Sequence, residues 1–364
     1  MKVLFIGLTE NSTIRGVERY CLELLRGMAQ TPDVEITLLL GQWQVYYQPL
    51  SQIGIKLLYA DCSKSKVSRH LYLATKMRRL SKTYDIVHYG NILPLFLPIA
   101  CKLVMTIHDV AEFHVPQKYG FLQLLYRKLI LKISSRLVNQ IITVSNFSKN
   151  SIIRYLQQPP HKVSVIHNGC DHFLKPEVSE AATSLPSIPN KYFLYLGPIE
   201  KTKGLEDIIQ AFNLFKTRYT TDYTLLLVGK EANALSSILH QLDAQIKYLG
   251  YLPDTQVVAL LKNAQAFLYI SHYEGFGFPV LEAFIHNDNI ITANTTSLGE
   301  ISAEFAYQVR PGDISAILAA MIQSIEAPKT FSPKRKRQIL ENFTWHNAAN
   351  ATVQVYKKML EHEG

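Results

Sequence analysis

Short apolar runs alternate with helix-length segments along almost all of this 364-residue chain. Strand-like runs fall at 3–8, 35–40, 56–59, 86–89, 103–107, 141–144 and 163–166. Helical patterns at 17–28, 68–80, 121–137 and 148–156 lie between them. Alternation on this scale builds parallel sheets with right-handed crossovers. Asn168-Gly169 marks a turn after the last of these strands. The stretch 171–190 holds Pro176, Pro186 and Pro189 among serines and threonines, and reads as a linker. The pattern then restarts, with strands at 192–196, 223–228 and 267–270 and helices at 204–217 and 279–285, the last with Pro279 in its first position. The chain is therefore expected to be α/β, with two Rossmann-like doubly wound domains, 1–172 and 191–344, a linker at 173–190 and a cleft between the domains. A final helix at 345–364 is assigned to the first domain.

Composition narrows the function classes. With 48% hydrophobic and 18% charged residues, disorder is excluded as the main state. The net charge of +9 is unevenly placed: residues 1–172 carry 21 Lys and Arg against 10 Asp and Glu, whereas 173–364 carry 17 against 19. A basic half of this kind suits phosphates, nucleic acid or anionic lipid. Cys21, Cys62, Cys101 and Cys170 are scattered, with neither a C-x-x-C pair nor zinc-ligand spacing. The opening run reads as a first buried strand rather than a signal peptide. The longest apolar stretches fall short of the roughly 18 residues that cross a bilayer. The chain is expected to be cytoplasmic and to touch a membrane only by its surface.

The segment richest in chemistry is Ser271-His272-Tyr273-Glu274-Gly275-Phe276-Gly277-Phe278-Pro279-Val280-Leu281-Glu282-Ala283. It follows a buried strand and opens a helix, the place where ligands bind at a switch point of an open sheet. Gly275 and Gly277 admit an anion close to the backbone, and the helix start adds its positive end. Glu274 and Glu282 bracket the cradle, and a carboxylate accepts paired hydrogen bonds from vicinal hydroxyls. The combination describes a phosphate flanked by two hydroxylated rings, as in a nucleotide sugar.

This string closely resembles the E-x7-E motif of retaining glycosyltransferases of family 4, which have the GT-B fold. The resemblance implies that Glu274 contacts the donor sugar and Glu282 the ribose, with Gly275, Phe276, Gly277 and Leu281 also at the donor. Further landmarks follow along nearly the whole chain. Tyr195-Leu196-Gly197-Pro198-Ile199-Glu200-Lys201-Thr202-Lys203-Gly204-Leu205 looks like the family's phosphate-binding loop, with Lys203 in the lysine position. The usual arginine is absent; Pro198 and Thr202 stand in its two positions, and Lys201 is the neighbouring substitute. Gly250-Tyr251-Leu252-Pro253-Asp254 reads either as the base-contacting turn, with Tyr251 at the base, or as a plain helix entry. Residues 294–300 resemble the loop after the next strand, entered through Asn287-Asp288-Asn289 where the family has Gly-x-Pro. In the first half, Gly16 is what remains of the family's glycine-rich turn near the donor phosphate, with a simple helix cap as the competing reading. His108-Asp109 matches the family's His-Asp and implies an active-site role for His108 at the donor sugar. Ser145 reads either as the family's Val-Ser element or as a helix cap.

No Asp-x-Asp occurs in the chain. That pair holds a divalent ion in transferases of the other main fold, so a reaction needing no metal and no further cofactor is expected, with cationic side chains and helix ends stabilising the leaving group. The resemblance implies retention of configuration and, by family frequency, GDP-mannose as donor, ahead of UDP-sugars and dTDP-rhamnose. Two basic clusters mark the first half. Lys64, Lys66, Arg69, Lys76, Arg78, Arg79 and Lys82 form one; Lys118, Arg127, Lys128, Lys132 and Arg136 mix with Phe121, Leu124, Leu125, Tyr126, Leu129 and Ile130 in the other. Such mixing suits a helix lying on anionic lipid, with a solvated outer helix face as the competing reading. No nucleic-acid module accompanies the charge. The expected protein is thus a mannosyltransferase on the inner face of the cytoplasmic membrane, acting on a lipid-linked glycan in cell-surface polysaccharide or lipopolysaccharide synthesis. A catalytically weak scaffold subunit and a GT-B nucleotide-sugar epimerase are the alternatives.

Overall fold

The computed structural model describes residues 1–92, 101–174, 188–219, 222–230, 240 and 242–361. The described chain divides into two compact units, Met1–Gly169 with Asn342–Gly364, and Cys170–Glu341. Residues 175–187 of the expected linker lie outside the described residues.

The first unit contains β1 (Lys2–Ile6), α1 (Gly16–Met28), β2 (Glu35–Gly41), β3 (Lys56–Ala60), α2 (Lys66–Leu80), β4 (Ile86–Tyr89), β5 (Lys102–Thr106), α3 (Ala111–His114), α4 (Phe121–Leu137), β6 (Gln140–Thr143), α5 (Asn146–Leu156) and β7 (Val163–Val165). Its seven strands run parallel in the order β3-β2-β1-β4-β5-β6-β7. The second unit contains β8 (Tyr192–Leu196), α6 (Leu205–Arg218), β9 (Thr224–Val228), β10 (Ile246–Gly250), α7 (Asp254–Asn263), β11 (Ala266–Tyr269), α8 (Phe278–His286), β12 (Ile290–Ala293), α9 (Thr296–Ile301), β13 (Tyr307–Val309), α10 (Ile314–Glu326) and α11 (Pro333–Leu340). Its six strands are also parallel, in the order β10-β9-β8-β11-β12-β13.

Both orders reverse direction once. In the first sheet the chain runs outward through β1, β2 and β3, then returns to place β4 on the other side of β1. In the second it runs through β8, β9 and β10, then places β11 against β8. Loops leaving two such strands diverge to opposite faces, so a crevice opens between their carboxyl ends. Central strands are covered on both faces and are apolar throughout; every residue of β9, Thr-Leu-Leu-Leu-Val, is buried.

The unit boundaries differ from the expected 172 and 344 by a few residues, and packing explains both shifts. His172 and Phe173 set their rings near Phe278 in the second unit, with centroids 6.0 and 6.3 Å away. Phe343 lies 5.6 Å from His167 in the first. A final helix, α12 (Trp345–Glu361), packs on α1 and completes the first unit. Helix α8 begins at Phe278, so Pro279 takes its second position rather than its first; both lie in the turn whose N–H groups have no helical partner.

Candidate active site

In the second unit the candidate residues meet at the reversal between β8 and β11. The β8 strand leads into a 3-10 turn at Lys201–Lys203, closed by Gly204. Gly204 has φ +69°, and a Cβ there would sit 1.9 Å from the carbonyl oxygen of Ile270, just past β11. Only glycine lets the two loops touch here. The Thr202 carbonyl accepts hydrogen bonds from the backbone N–H of His272 (2.9 Å) and the Ser271 hydroxyl (3.1 Å). The loops that carry Lys203 and Glu274 are thereby locked together.

Lys203 Nζ donates to Glu274 Oε1 at 2.7 Å, with both side chains about 15% exposed. The Tyr269 hydroxyl donates to the same oxygen at 2.6 Å. Burial, with Glu274 beside it, raises the Tyr269 phenol well above its usual range, so it remains a donor. Glu274 Oε2 accepts no hydrogen bond among the described residues. One carboxylate oxygen is therefore fixed by two donors, and the other can take a hydroxyl.

Beyond Glu274 the cradle turns at Gly277, which has φ +119° and leaves room for Leu298 Cδ2, 2.5 Å from where a Cβ would stand. The Ser297 hydroxyl donates to the carbonyls of Glu274 and Phe276 at 2.9 and 2.8 Å, so α9 holds the cradle from outside. Gly275, Phe276 and Gly277 are buried. Glu282 is half-buried on α8, one turn in. Leu281, read as a donor contact, is fully buried with Val280, Ala283 and Phe284 on the inner face of α8. It is a core residue with no surface to offer a ligand. Lys201 is exposed beside Lys203. Pro253 stands at the N-cap position of α7, so the 250–254 turn leads into that helix. Tyr251 is 65% exposed at the edge strand β10, and Lys230 Nζ stands 4.9 Å from its ring centroid.

The first unit holds the other two candidates. His108 follows β5, and its Nε2 lies 3.1 Å from the Gly90 carbonyl. Its ring meets the Tyr20 ring edge-on at 4.6 Å. Ser148 Oγ donates to the His108 carbonyl at 3.2 Å. Burial lowers its imidazole to about 4, so it is neutral at pH 7. Behind it runs a buried chain: Tyr20 and His88 share the Thr106 hydroxyl at 2.8 Å each, and His88 Nδ1 meets the Tyr356 hydroxyl of α12. Ser145 accepts from the Ser148 backbone N–H at 3.1 Å, the geometry of a helix cap. Gly16 opens α1, but Glu18 already serves that helix end, accepting from the Arg15 backbone N–H, Thr9 Oγ1 and Asn11 Nδ2.

Several contributors escaped sequence reasoning. Tyr269 and Lys230 carry no motif, and Ser297 lies in the 294–300 segment without having been singled out. The His272–Asp207 pair, 3.1 Å apart, joins residues 65 positions distant. Among the described residues no group of three or more His, Cys, Asp or Glu gathers as a metal site, and no helix is long and apolar enough to cross a membrane.

Two doubly wound units, the second with a Lys–Glu pair and a glycine turn at its switch point, define a two-domain α/β protein of the Rossmann-like class. Comparison with known proteins agrees. The description "Glycosyl transferases group 1" matches residues 179–342, and "Glycosyltransferase Family 4" matches residues 14–172. The O-antigen chain mannosyltransferase B of Escherichia coli is 28% identical, over 98% of this chain and 100% of its own. Sucrose-phosphate synthase from Thermosynechococcus elongatus superposes with a TM-score of 0.71 at 15% identity, over 99% of both chains. HepE from Anabaena, solved with UDP and glucose, gives 0.65 at 17% identity, over 100% of this chain and 99% of its own. The chain belongs to the glycosyltransferases, with a family 4 domain followed by a group 1 domain, and its fold is GT-B.

Proposed function

We propose that this glycosyltransferase moves a mannosyl group from GDP-mannose to a lipid-linked glycan of the O-antigen type, with retention and without a metal ion. The observation that carries the reading is the Glu274 carboxylate, fixed through Oε1 by Lys203 and Tyr269 and open at Oε2. Mannosyl transfer and the O-antigen acceptor are supported by the name of the Escherichia coli relative, and a nucleotide sugar by the UDP bound in HepE.

In this reading Glu274 Oε2 accepts a hydroxyl of the donor sugar, and Glu282 accepts the ribose hydroxyls. Lys203 faces the diphosphate, with Lys201 beside it. As negative charge develops on the departing diphosphate, a cation already in place stabilises it without reorganisation. No carboxylate is assigned as a nucleophile. The acceptor oxygen bonds to the anomeric carbon on the face from which the diphosphate leaves, and a diphosphate oxygen takes the hydroxyl proton. Neutral His108 is suited to donate or accept a single hydrogen bond at the sugar.

Helix α4 supports a peripheral membrane location. Phe121, Leu125, Leu129, Ile133 and Leu137 recur every fourth residue and are 39–78% exposed, with Lys132 and Arg136 exposed alongside. An apolar stripe edged by cations fits an anionic lipid interface.

The test is incubation of purified protein with GDP-, UDP- and dTDP-sugars and a lipid-linked acceptor, with the product linkage read by NMR. Transfer from GDP-mannose with the α configuration kept is expected. An inverted linkage or an absolute metal requirement would overturn the mechanism. Absence of both transfer and donor hydrolysis would favour the scaffold reading, which the missing arginine at Pro198 and Thr202 keeps in view.

A further inference from the structure

The first unit has its own cavity at its own switch point. About 590 Å³ opens beyond the ends of β1 and β4, where Leu8, Thr9, Asn91 and Ile92 form one side and α1, α2 and α4 the others. The volume suits a small ligand of one or two rings. Its wall combines cations and carboxylates in an uneven way.

Lys66, Arg69 and His70 of α2 and Arg127 of α4 all line it. Like charges gathered here oppose one another: burial, then Arg127 and Arg69, lowers the Lys66 ammonium, and burial, then Lys66 and Arg69, lowers the His70 imidazole. Arg69 is only 5% exposed, yet its Nε has no partner; its guanidinium reaches Glu10 at the rim through NH1 at 2.7 Å. Lys66 has no carboxylate within ion-pair distance among the described residues and lies 4.1 Å over the Tyr126 ring. The α2 helix starts at Lys66 with no acid in its first turn; its cap Ser65 accepts from the Ser68 backbone N–H at 3.1 Å, so the unmet positive charge on this wall is that of the side chains. On the α4 side, Glu112 is 2% exposed and binds Arg127 Nε through Oε1 at 2.6 Å, while its buried Oε2 has no partner. A buried carboxylate oxygen left unpaired is costly and calls for a donor.

These two unmet demands are of opposite kind. Lys66 and Arg69 call for an anion with several acceptor oxygens. Glu112 Oε2 calls for a hydroxyl. A phosphate bonded to a polyhydroxylated ring meets both; a neutral sugar leaves the cations unmatched, and inorganic phosphate leaves Glu112 unmatched. We propose that this cavity binds a glycosyl phosphate, with the phosphate at Lys66 and Arg69 and a ring hydroxyl at Glu112. Resting on the glycosyl-transfer reading, it makes the cavity the acceptor's anchoring site, one sugar phosphate deep, against the helix that carries the exposed apolar stripe.

The experiment is calorimetric titration of the full chain with glucose 1-phosphate, and with inorganic phosphate and glucose as separate arms. Glucose 1-phosphate should bind more tightly than either part. Lys66→Gln, an exposed substitution that leaves the core intact, and Arg69→Gln should each weaken it roughly tenfold, the loss of one charge-assisted hydrogen bond. Lys66→Arg should restore binding, and Lys203→Ala should leave it unchanged. The octyl ester of glucose 1-phosphate identifies the source: tighter binding marks a lipid-linked ligand, and equal binding a soluble one. Unaltered affinity in both α2 variants, or loss in Lys203→Ala instead, would overturn the assignment. GDP-mannose titrated into the same samples separates the readings: failure there removes the donor proposal without touching the α2 result, and success there with no glucose 1-phosphate binding removes this one alone.

Discussion

Lys203 Nζ lies 2.7 Å from Glu274 Oε1, joining two loops 71 residues apart across the switch point of the second sheet. The pair is mostly shielded from water, so its geometry is better defined than that of a surface salt bridge. In the proposed function a donor entering this site shares both partners. Glu274→Gln keeps the shape but removes the charge, and Lys203→Ala removes the cation. Each should lower kcat by about 10²-fold or more, in the range of a lost preorganised group. The double variant should lose less than the product of the two, because each residue acts through the other. Steady-state transfer assays on the three variants check this; strict multiplication would show that the two act separately.

Tyr269 touches Glu274 through one hydroxyl, and its ring is buried beside Tyr195. Tyr269→Phe should fold normally and lose about 1 kcal/mol of support for the carboxylate. The expected result is a severalfold lower kcat/KM for the donor with an unchanged melting temperature. A fall in melting temperature with unchanged kinetics would make the tyrosine a packing residue only.

Gly204 is the hinge that lets Lys203 approach β11. Alanine would meet the Ile270 carbonyl at 1.9 Å while holding φ +69°, a conformation that alone costs an L-residue about 1–2 kcal/mol. Gly204→Ala should lower the unfolding temperature of the second unit and weaken donor binding together. Calorimetry alongside donor titration checks the coupling of the two effects.

His88 is buried and His108 half-buried, and desolvation holds both imidazoles neutral, at about 3 and about 4 against an ordinary 6.5. The unfolded chain therefore takes up their protons first as pH falls. Their contribution to stability is complete above about 6.5 and declines below it, by up to about 1.4 kcal/mol per pH unit for each histidine in the window above its folded value. Melting temperature should drop on acidification from pH 6.5 toward 4. The slope should be shallower in His108→Gln; an unchanged slope would assign the acid sensitivity elsewhere.

Leu125 and Leu129 of α4 are 58% and 53% exposed. Leu125→Glu with Leu129→Glu replaces apolar area worth about 1.5–3 kcal/mol per side chain with charge. Flotation with phosphatidylglycerol vesicles should fall by more than tenfold. Equal flotation would place membrane contact on another surface.

Much of this was legible in the sequence. Alternating runs predicted two parallel α/β units because a strand buried on both faces must be apolar throughout, whatever lies beside it. The 271–283 string marked the glycine turn and the helix start it opens, because its glycines and Pro279 act locally, within one strand–loop–helix passage. Leu281 was misjudged, although Val280, Leu281, Ala283 and Phe284 form an inward-facing helical stripe that marks core. Strand order was not legible. Whether β11 lies against β8 depends on crossover geometry, which periodicity does not encode. That order puts Lys203 on Glu274 and sets Tyr269 beside them, and the order of the first sheet, with β4 against β1, brings Arg69 and Glu112 to one cavity. Sequence determined which groups the chain owns and which local segments they cap; only the tertiary structure decided which distant charges are paired and which are left unpaired, because pairing is set by the order of the strands in each sheet and not by neighbours along the chain.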